Sequence, residues 1–159
     1  MIIRAAIESD AEAISVITAE IQALHHTAHP ALFKPPSLEV FPPDAVCARM
    51  RSETAFVLVV EHDDQIVGNL IANFEEHPET SFRYAYRVLQ IDQLGVRASH
   101  RRMGIGRALM RAAEAEARAR NMDMRLLSTW NFNANAIAFF EGEGYAALNQ
   151  RMRKPLRNV

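Results

Sequence analysis

The sequence predicts an α/β protein with a central mixed, mostly antiparallel sheet that is flanked by about four helices. The first observation behind this is a pair of apolar runs, 56–61 and 66–74, separated by a polar turn, which is typical of an antiparallel hairpin. The second is a long strand candidate, 84–96, followed by an amphipathic helix, 104–120, and a further strand, 124–129. A strand, a helix and a strand in succession predict a right-handed parallel pair within one sheet.

The N-terminal elements follow from local start and stop signals. Residues 2–5 are predicted as a short first strand. Ser9 and Glu12 have the spacing of a capping box, and apolar residues at helical spacing then predict a helix that ends near His25. Prolines interrupt the chain after that point, and a short helix is predicted over 43–50, with proline in its first turn.

The C-terminal part is predicted to form a helix over 133–143, which Gly144 ends. One or two strands are predicted over 145–156. Arg151, Arg153 and Lys154 lie on that segment, where we expect a basic side that faces solvent.

Composition favours a single domain over residues 1–159. Hydrophobic residues make up 49% of the chain, enough for a core, and the net charge of −1 gives no bias towards nucleic acids. Cys47 is the one cysteine and cannot form an internal disulfide, so we expect a small buried side chain in a cytoplasmic protein. No apolar run reaches the ~18–20 residues that cross a membrane.

A β-bulge is predicted within the long strand 84–96. Apolar residues alternate along it, but the alternation changes phase between Ile91 and Leu94. One extra residue near Asp92–Gln93 would produce this change, and Gly95 lies close by. The alternative is that both faces of the strand are buried, in which case the phase carries no information.

A glycine-containing loop, RRMGIG over 101–106, separates this strand from the following helix. Gly104 and Gly106 let the backbone approach a ligand closely, and the first turn of the helix presents unpaired N–H groups. Arg107 and the two arginines of the loop add positive charge. Such a turn is suited to phosphate or diphosphate.

Two segments together resemble the GNAT superfamily of acyl-CoA-dependent N-acetyltransferases. Arg101, Gly104 and Gly106 are similar to the family's loop [Arg/Gln]-x-x-Gly-x-[Gly/Ala], and Val96 precedes it as in the family. Residues 133–145 are similar to the family's segment Asn-x-x-Ala-x-x-x-Tyr-Glu-x-x-Gly-Phe, and the order of elements matches over nearly the whole chain. Ala98 stands where a proline is common.

The resemblance implies a GNAT-like sheet with a splayed parallel strand pair, and direct transfer of acetyl from acetyl-CoA, as co-substrate, to an amine. It also implies the residues that contact the cofactor: Leu94, Gly95, Val96, Arg101, Arg102, Met103, Gly104, Ile105, Gly106, Arg107, Asn133, Ala136 and Phe140. No metal is expected.

The resemblance further implies two catalytic positions. The amide of Leu94 would polarise the thioester carbonyl. Asp92 is proposed as the base that deprotonates the amine, through water; equally, it could serve only to satisfy N–H groups of the bulge. Phe140 departs from the family, whose usual tyrosine protonates the departing thiolate. Three tyrosines are the available substitutes, although each is also expected to pack as a strand aromatic: Tyr84, Tyr86 and Tyr145.

A histidine cluster lies where the family builds its acceptor pocket. His26, His29 and Phe33 are the proposed substrate-binding residues. His25 and His29 have a spacing found in metal sites, but no His-Glu-x-x-His pattern accompanies them. The simpler interpretation is that these histidines lie at the C-terminal end of the helix, where they interact favourably with the negative end of its dipole.

Three functional classes remain open at this point. The first is an N-acetyltransferase that acts on an amine of a small molecule, peptide or protein. The second, motivated by Phe140, is an acyl-CoA-binding sensor with little or no turnover. The third, a nucleotide- or nucleic-acid-binding protein, is the least supported because the charge is balanced. A homodimer through a short terminal sheet edge is an open option.

Overall fold

The computed structural model describes residues 1–156 and contains a five-stranded sheet in the order β1-β2-β3-β4-β5. The strands are β1 (Ile2–Ala5), β2 (Ala55–His62), β3 (Gln65–His77), β4 (Tyr86–Val96) and β5 (Met124–Leu127). Neighbouring strands are antiparallel except for β4 and β5, which are parallel. The predicted mixed sheet is therefore confirmed.

Within residues 1–156 the helices longer than one turn are α1 (Ala11–Ala28), α2 (Pro43–Met50), α3 (Ile105–Ala119) and α4 (Ala134–Gly142). The bounds of α2 match the prediction. In contrast, α1 runs to Ala28 rather than ending near His25. No helix of this described part is long and apolar enough to cross a membrane.

The predicted capping box of Ser9 and Glu12 does not form. Asp10 precedes α1 without making a side-chain cap to it. Its carboxylate instead accepts a hydrogen bond from the Ile7 N–H at 2.8 Å and pairs with Arg4 at 2.7 Å. Asp10 therefore fixes the turn between β1 and α1, and it, rather than Ser9, is the residue that directly precedes the helix.

Two apolar clusters cover the two faces of the sheet. Alternate β2 residues divide between them: Leu58 and Val60 pack with α3, whereas Val57 and Val59 pack with α1 and α2. Cys47 is half-buried at the border of the second cluster rather than fully enclosed.

The predicted β-bulge is confirmed in β4. Ile71 of β3 lies opposite Gln93, whereas its neighbour Ala72 lies opposite Ile91. Asp92 is therefore the extra residue, with no partner on β3. Strand β4 also begins two residues later than predicted, at Tyr86.

The parallel pair is short, and the two strands separate beyond it. Strand β5 pairs with β4 over four residues and ends with Leu127 opposite Ile91. β4 continues for five residues past this point, as far as Val96. The edge of β4 that faces away from β3 is therefore open from Asp92 onwards, as a splayed pair requires.

The strands predicted over 145–156 are absent, and that prediction is wrong for the described residues. Gly144, at φ +85°, turns the chain after α4, and residues 145–156 then run without any strand pairing. Alternation alone is not enough to form a strand, because the backbone needs a neighbouring edge to bond to.

Gly95 allows α1 to lie close against β4. A Cβ atom at this position would come within 2.4 Å of Ile17 Cγ2 and 2.7 Å of Asn69 Oδ1. Real side chains do not tolerate such contacts, so only glycine fits between the helix and the strand.

We predict that Gly95→Ala lowers the free energy of unfolding by roughly 1–3 kcal/mol, because overpacking forces α1 away from the sheet. Urea denaturation measures the change. Gly142→Ala is the matched control, since that glycine is helical and has no atom within 4 Å of a new Cβ. Equal stability of Gly95→Ala and the parent chain would contradict the close approach.

Candidate functional site

Two residues in the turn between β4 and α3 have a left-handed backbone conformation. Gly104 has φ +80° and forms the N-cap of α3, and Arg102 has φ +64°. The first bond within the helix is donated by Ala108 to Gly104 O at 3.0 Å. The amides of residues 105–107 thus have no intrahelical acceptor, as at any helix start.

The arginines of this turn differ in their partners. Arg101 Nε donates to Val96 O at 3.2 Å and so ties the turn to the end of β4. Arg107 Nε lies 2.7 Å from Glu143 Oε1, which joins α3 to the end of α4. Arg102 and Met103 are exposed beside the helix start.

Helix α4 packs along the same turn. A Cβ at Gly106 would lie 3.3 Å from Phe139 Cζ, so this glycine lets α3 and α4 approach each other. Asn133 caps α4, with its Oδ1 accepting from the Ala136 N–H at 3.1 Å. Helix α4 therefore lies beside the start of α3.

The Asp92 carboxylate is held through one of its two oxygens. Arg49 Nη2 of α2 and Asn73 Nδ2 of β3 both donate to Oδ2, the second at 2.6 Å. Among the described residues, no donor bonds to Oδ1. Asp92 is about one-third exposed, so this oxygen is available to water or to a ligand.

Burial raises the pKa of the Asp92 carboxyl above its usual value. The positive charge of Arg49 and the hydrogen bond from Asn73 oppose this rise. Desolvation is the larger effect, so the carboxylate is a somewhat stronger base than a fully exposed aspartate.

Asp92 and Gln93 both line a cavity of about 630 Å³, bounded by α1, α2 and the segment before α2. In a regular strand two consecutive side chains point to opposite faces, and the bulge removes this restriction. Gln93 Nε2 donates to Thr18 Oγ1 of α1 at 2.9 Å. The cavity lining is otherwise largely apolar: Val40, Phe41, Ala45, Ala48 and Ile71.

The proposed substrate-binding residues do not line this cavity. Phe33 and His29 belong to an aromatic cluster formed by His25, His29, Phe33, Trp130 and Phe132. His26 Nδ1 lies 2.7 Å from Phe33 O and fixes the loop after α1. Burial lowers the pKa of His25 within the cluster. Trp130, although it packs in this cluster, is 45% exposed.

Only one of the three tyrosines contacts Phe140. The ring of Tyr145 lies 5.8 Å from that of Phe140, and burial raises the pKa of its hydroxyl. Tyr86 stacks on His77 at 4.4 Å, at the opposite end of β4 from the bulge, and Tyr84 is exposed. Neither of these two is placed to replace a group at position 140.

Arg49 and Asn73 are the site residues that sequence reasoning missed. Arg49 lies 43 residues from Asp92 along the chain, and no local motif relates the two. Asn73 lies on β3, which pairs with the bulged strand, and no local sequence signal connects it with Asp92 either. In residues 1–156, no group of three or more His, Cys, Asp or Glu residues is arranged to hold a metal ion.

One family model matches the sequence: the acetyltransferase (GNAT) family, over residues 18–145. No curated protein matches the chain.

Several solved structures are similar in fold. A single-site variant of the BH1408 protein from Bacillus halodurans is 25% identical, with TM-score 0.95, covering 99% of this chain and 100% of that one. An aminoglycoside acetyltransferase from an uncultured soil metagenomic sample, in complex with sisomicin, is 17% identical, with TM-score 0.67 and coverage of 99% and 96%. The aminoglycoside N-acetyltransferase AAC(6')-Iy in complex with CoA is 12% identical, with TM-score 0.72 and coverage of 99% and 100%.

We predict that Arg49→Met raises the pKa of Asp92, because the change removes a positive charge and keeps an apolar stem. Carboxyl ¹³C NMR over a pH series measures the shift. Arg51→Met is the control, since Arg51 pairs with Glu8 rather than with Asp92. An unchanged Asp92 titration in Arg49→Met, or an equal shift in both variants, would show that the ion pair does not act on this carboxyl.

Proposed function

The chain belongs to the GNAT acetyltransferase family, and we propose on that basis that it transfers acetyl from acetyl-CoA directly to the amine of an acceptor. The observation that carries the proposal is the position of Asp92. Its carboxylate lines the cavity at the point where β4 separates from β5. In this proposal the base, the acceptor space and the cofactor slot, which is the gap between β4 and β5, meet at one bulge.

The glycine turn is suited to the diphosphate of CoA. Gly104 and Gly106 keep side chains away from the helix start, and the free amides of α3 with the nearby arginines favour an anion there. The open edge of β4 would pair with the pantetheine arm as an added strand, with Leu94, Gly95 and Val96 as its contacts. Asn133, Ala136 and Phe140 border the same slot from α4.

Deprotonation of the acceptor is assigned to Asp92. A primary amine with a pKa of about 10.4 is almost entirely protonated at neutral pH, so it must lose a proton before it attacks. The unbonded Oδ1 accepts this proton, directly or through water, while Arg49 and Asn73 hold Oδ2 in place. The amine nitrogen then attacks the thioester carbon, and the Leu94 amide stabilises the charge on the carbonyl oxygen.

Departure of the thiolate needs no tyrosine at position 140. A thiol with a pKa near ~8.5 leaves as its anion without a strong acid. Phe140 makes this step slower than in a relative with a hydroxyl, and it supports a second candidate function: an acyl-CoA-binding sensor with little turnover. Tyr145 is too enclosed to exchange protons freely, since its hydroxyl is buried.

The cavity indicates a small acceptor with an apolar portion. Its apolar walls would cover the carbon skeleton, and Asp92 would draw the cationic amine inward. A neighbour of the same fold is in complex with sisomicin, an amine-bearing compound, which is compatible with an amine as the acceptor.

We predict that Gly104→Ala weakens CoA binding by roughly tenfold or more, because a Cβ would lie where the diphosphate approaches, and tenfold corresponds to about 1.4 kcal/mol. Isothermal titration calorimetry measures it. Gly144→Ala is closely matched, since both glycines have positive φ (+80° and +85°) with no atom within 4 Å of a new Cβ. Both should lose similar stability, so equal CoA affinity in the two variants would place the diphosphate elsewhere.

We predict that a thiol-release assay with acetyl-CoA over a library of small amines identifies an acceptor, and that Asp92→Asn lowers kcat for it by about 10²–10⁴-fold. Arg51→Met is the control, because Arg51 lies outside the cavity lining. Binding of acetyl-CoA without release on any amine favours the sensor. An unchanged rate in Asp92→Asn removes Asp92 from the mechanism but leaves the transferase activity standing.

A further inference from the structure

The cavity beside the bulge has two charged side chains of opposite sign in its wall. Among the described residues that line it, Arg49 and Asp92 are the ones that carry a charge, and they pair with each other. Their charges cancel, so the lining has no net charge with which to attract a simple cation. A ligand that carries one positive and one negative group suits such a lining better than a bare amine does.

Both members of this ion pair have hydrogen-bonding capacity left over. Asp92 accepts through Oδ2, which leaves Oδ1 unbonded. Within residues 1–156, Arg49 donates through Nη2 alone, its Nη1 has no acceptor, and its Nε is enclosed without a partner. An N–H group that loses water without gaining an acceptor is unfavourable. The pair therefore offers a free acceptor and a free donor side by side.

The other polar side chains of the lining are already engaged. Gln93 donates to Thr18 at 2.9 Å, and Ser52 shares a hydrogen bond with Thr54 at 3.2 Å. The remaining walls are apolar: Val40, Phe41, Ala45, Ala48 and Ile71. The unused polar capacity of the cavity is therefore concentrated at the ion pair, with apolar surface around it.

We propose that the acceptor is a free α-amino acid with an apolar side chain. Its ammonium lies against Oδ1 of Asp92 and its carboxylate against Nη1 of Arg49, so that the four charges alternate in sign. The two charged groups of an α-amino acid are attached to one carbon, which matches two protein groups in direct contact. A guanidinium is also well suited to a carboxylate.

The side chain of the amino acid lies against the apolar walls. The cavity volume of about 630 Å³ is within the range of roughly 300–1,000 Å³ that is usual for small-molecule sites. This assignment rests on the proposed function, because it specifies the acceptor of the same acetyl transfer.

The transfer step keeps its balance with this acceptor. The ammonium gives one proton to Asp92, and the nitrogen then forms a bond to the acetyl carbon while the carbon–sulfur bond breaks. The second proton that the nitrogen loses goes to the CoA thiolate, and Asp92 returns its proton to water. The product, an N-acetyl amino acid, has lost its positive charge and no longer neutralises Asp92, which favours its release.

A bare amine is disfavoured by the same geometry. Its cation would approach Asp92 within reach of the Arg49 guanidinium, which repels it, and Nη1 of Arg49 would stay unpaired. A carboxylate on the acceptor removes both penalties. The cavity should therefore distinguish two amines that differ in this group alone.

The test compares amino acids with their amides in the thiol-release assay with acetyl-CoA. Leucine is matched with leucinamide, and phenylalanine with phenylalaninamide. The amide has the more easily deprotonated amine, because it lacks the negative charge that favours the ammonium, so intrinsic reactivity opposes the expected preference. We expect kcat/KM to be at least about tenfold higher for each amino acid, since a hydrogen bond between charged groups is worth that much.

Arg49→Met should abolish this preference, with the larger effect on KM for the amino acid. The ratio of amino acid to amide is the readout, because displacement of Asp92 in this variant slows both acceptors alike. Arg49→Lys keeps a positive charge and should retain part of the preference. Arg51→Met is the control and should leave the ratio unchanged, since Arg51 pairs with Glu8 outside the cavity lining.

Calorimetric titration of the CoA complex separates failure of this proposal from failure of the proposed function. Leucine should bind at least about tenfold more tightly than leucinamide. Acetyl transfer without preference for the amino acid, or with a preference that survives Arg49→Met, overturns the amino-acid assignment and leaves the transferase standing. Leucine binding that depends on Arg49, without thiol release, supports the amino-acid site and overturns the transferase. Neither binding nor release overturns both.

Discussion

One extra residue in β4 determines the geometry of the candidate site. Asp92 has no partner on β3, so the strand bends there and its twist increases. The same irregularity turns two consecutive side chains, Asp92 and Gln93, towards one cavity. It also lies one residue past Ile91, where pairing with β5 ends. The base and the slot therefore share one structural cause.

The bulge is fixed by three polar contacts that come from three different elements. Thr18 of α1 accepts from Gln93, Arg49 of α2 donates to Asp92, and Asn73 of β3 donates to Asp92. A partly exposed ion pair contributes only about 0–1 kcal/mol, so Arg49 matters little for stability. Its effect is to direct one carboxylate oxygen inward and leave the other available.

The parts predicted from the sequence are those with a local signal. The short helix α2 starts at a proline, the phase change in 84–96 marks the bulge, and two glycines mark the turn before α3. Each of these features is determined by residues within a few positions of one another. The β2–β3 hairpin and the parallel β4–β5 pair are predicted in the same way, whereas the pairing of β1 with β2 and of β3 with β4 has no such local signal.

The parts that could not be predicted depend on contacts distant in sequence. Arg49 reaches Asp92 only because α2 packs over the bulge, and nothing near Arg49 in the sequence indicates this. The family resemblance places His26, His29 and Phe33 at the acceptor pocket, and no local signal indicates that His29 and Phe33 pack with Trp130 and Phe132 in a separate cluster. The strands predicted over 145–156 are absent for a related reason, because a strand forms only where a second edge is available to bond to.

The short length of β5 links these observations. A parallel pair of four residues is enough to position β5 beside β4 yet ends early enough to leave the slot open. The cost is a weakly held strand, since β5 has a neighbouring strand on one side only within residues 1–156. A longer β5 would be more stable but would pair with β4 past Ile91 and close the slot.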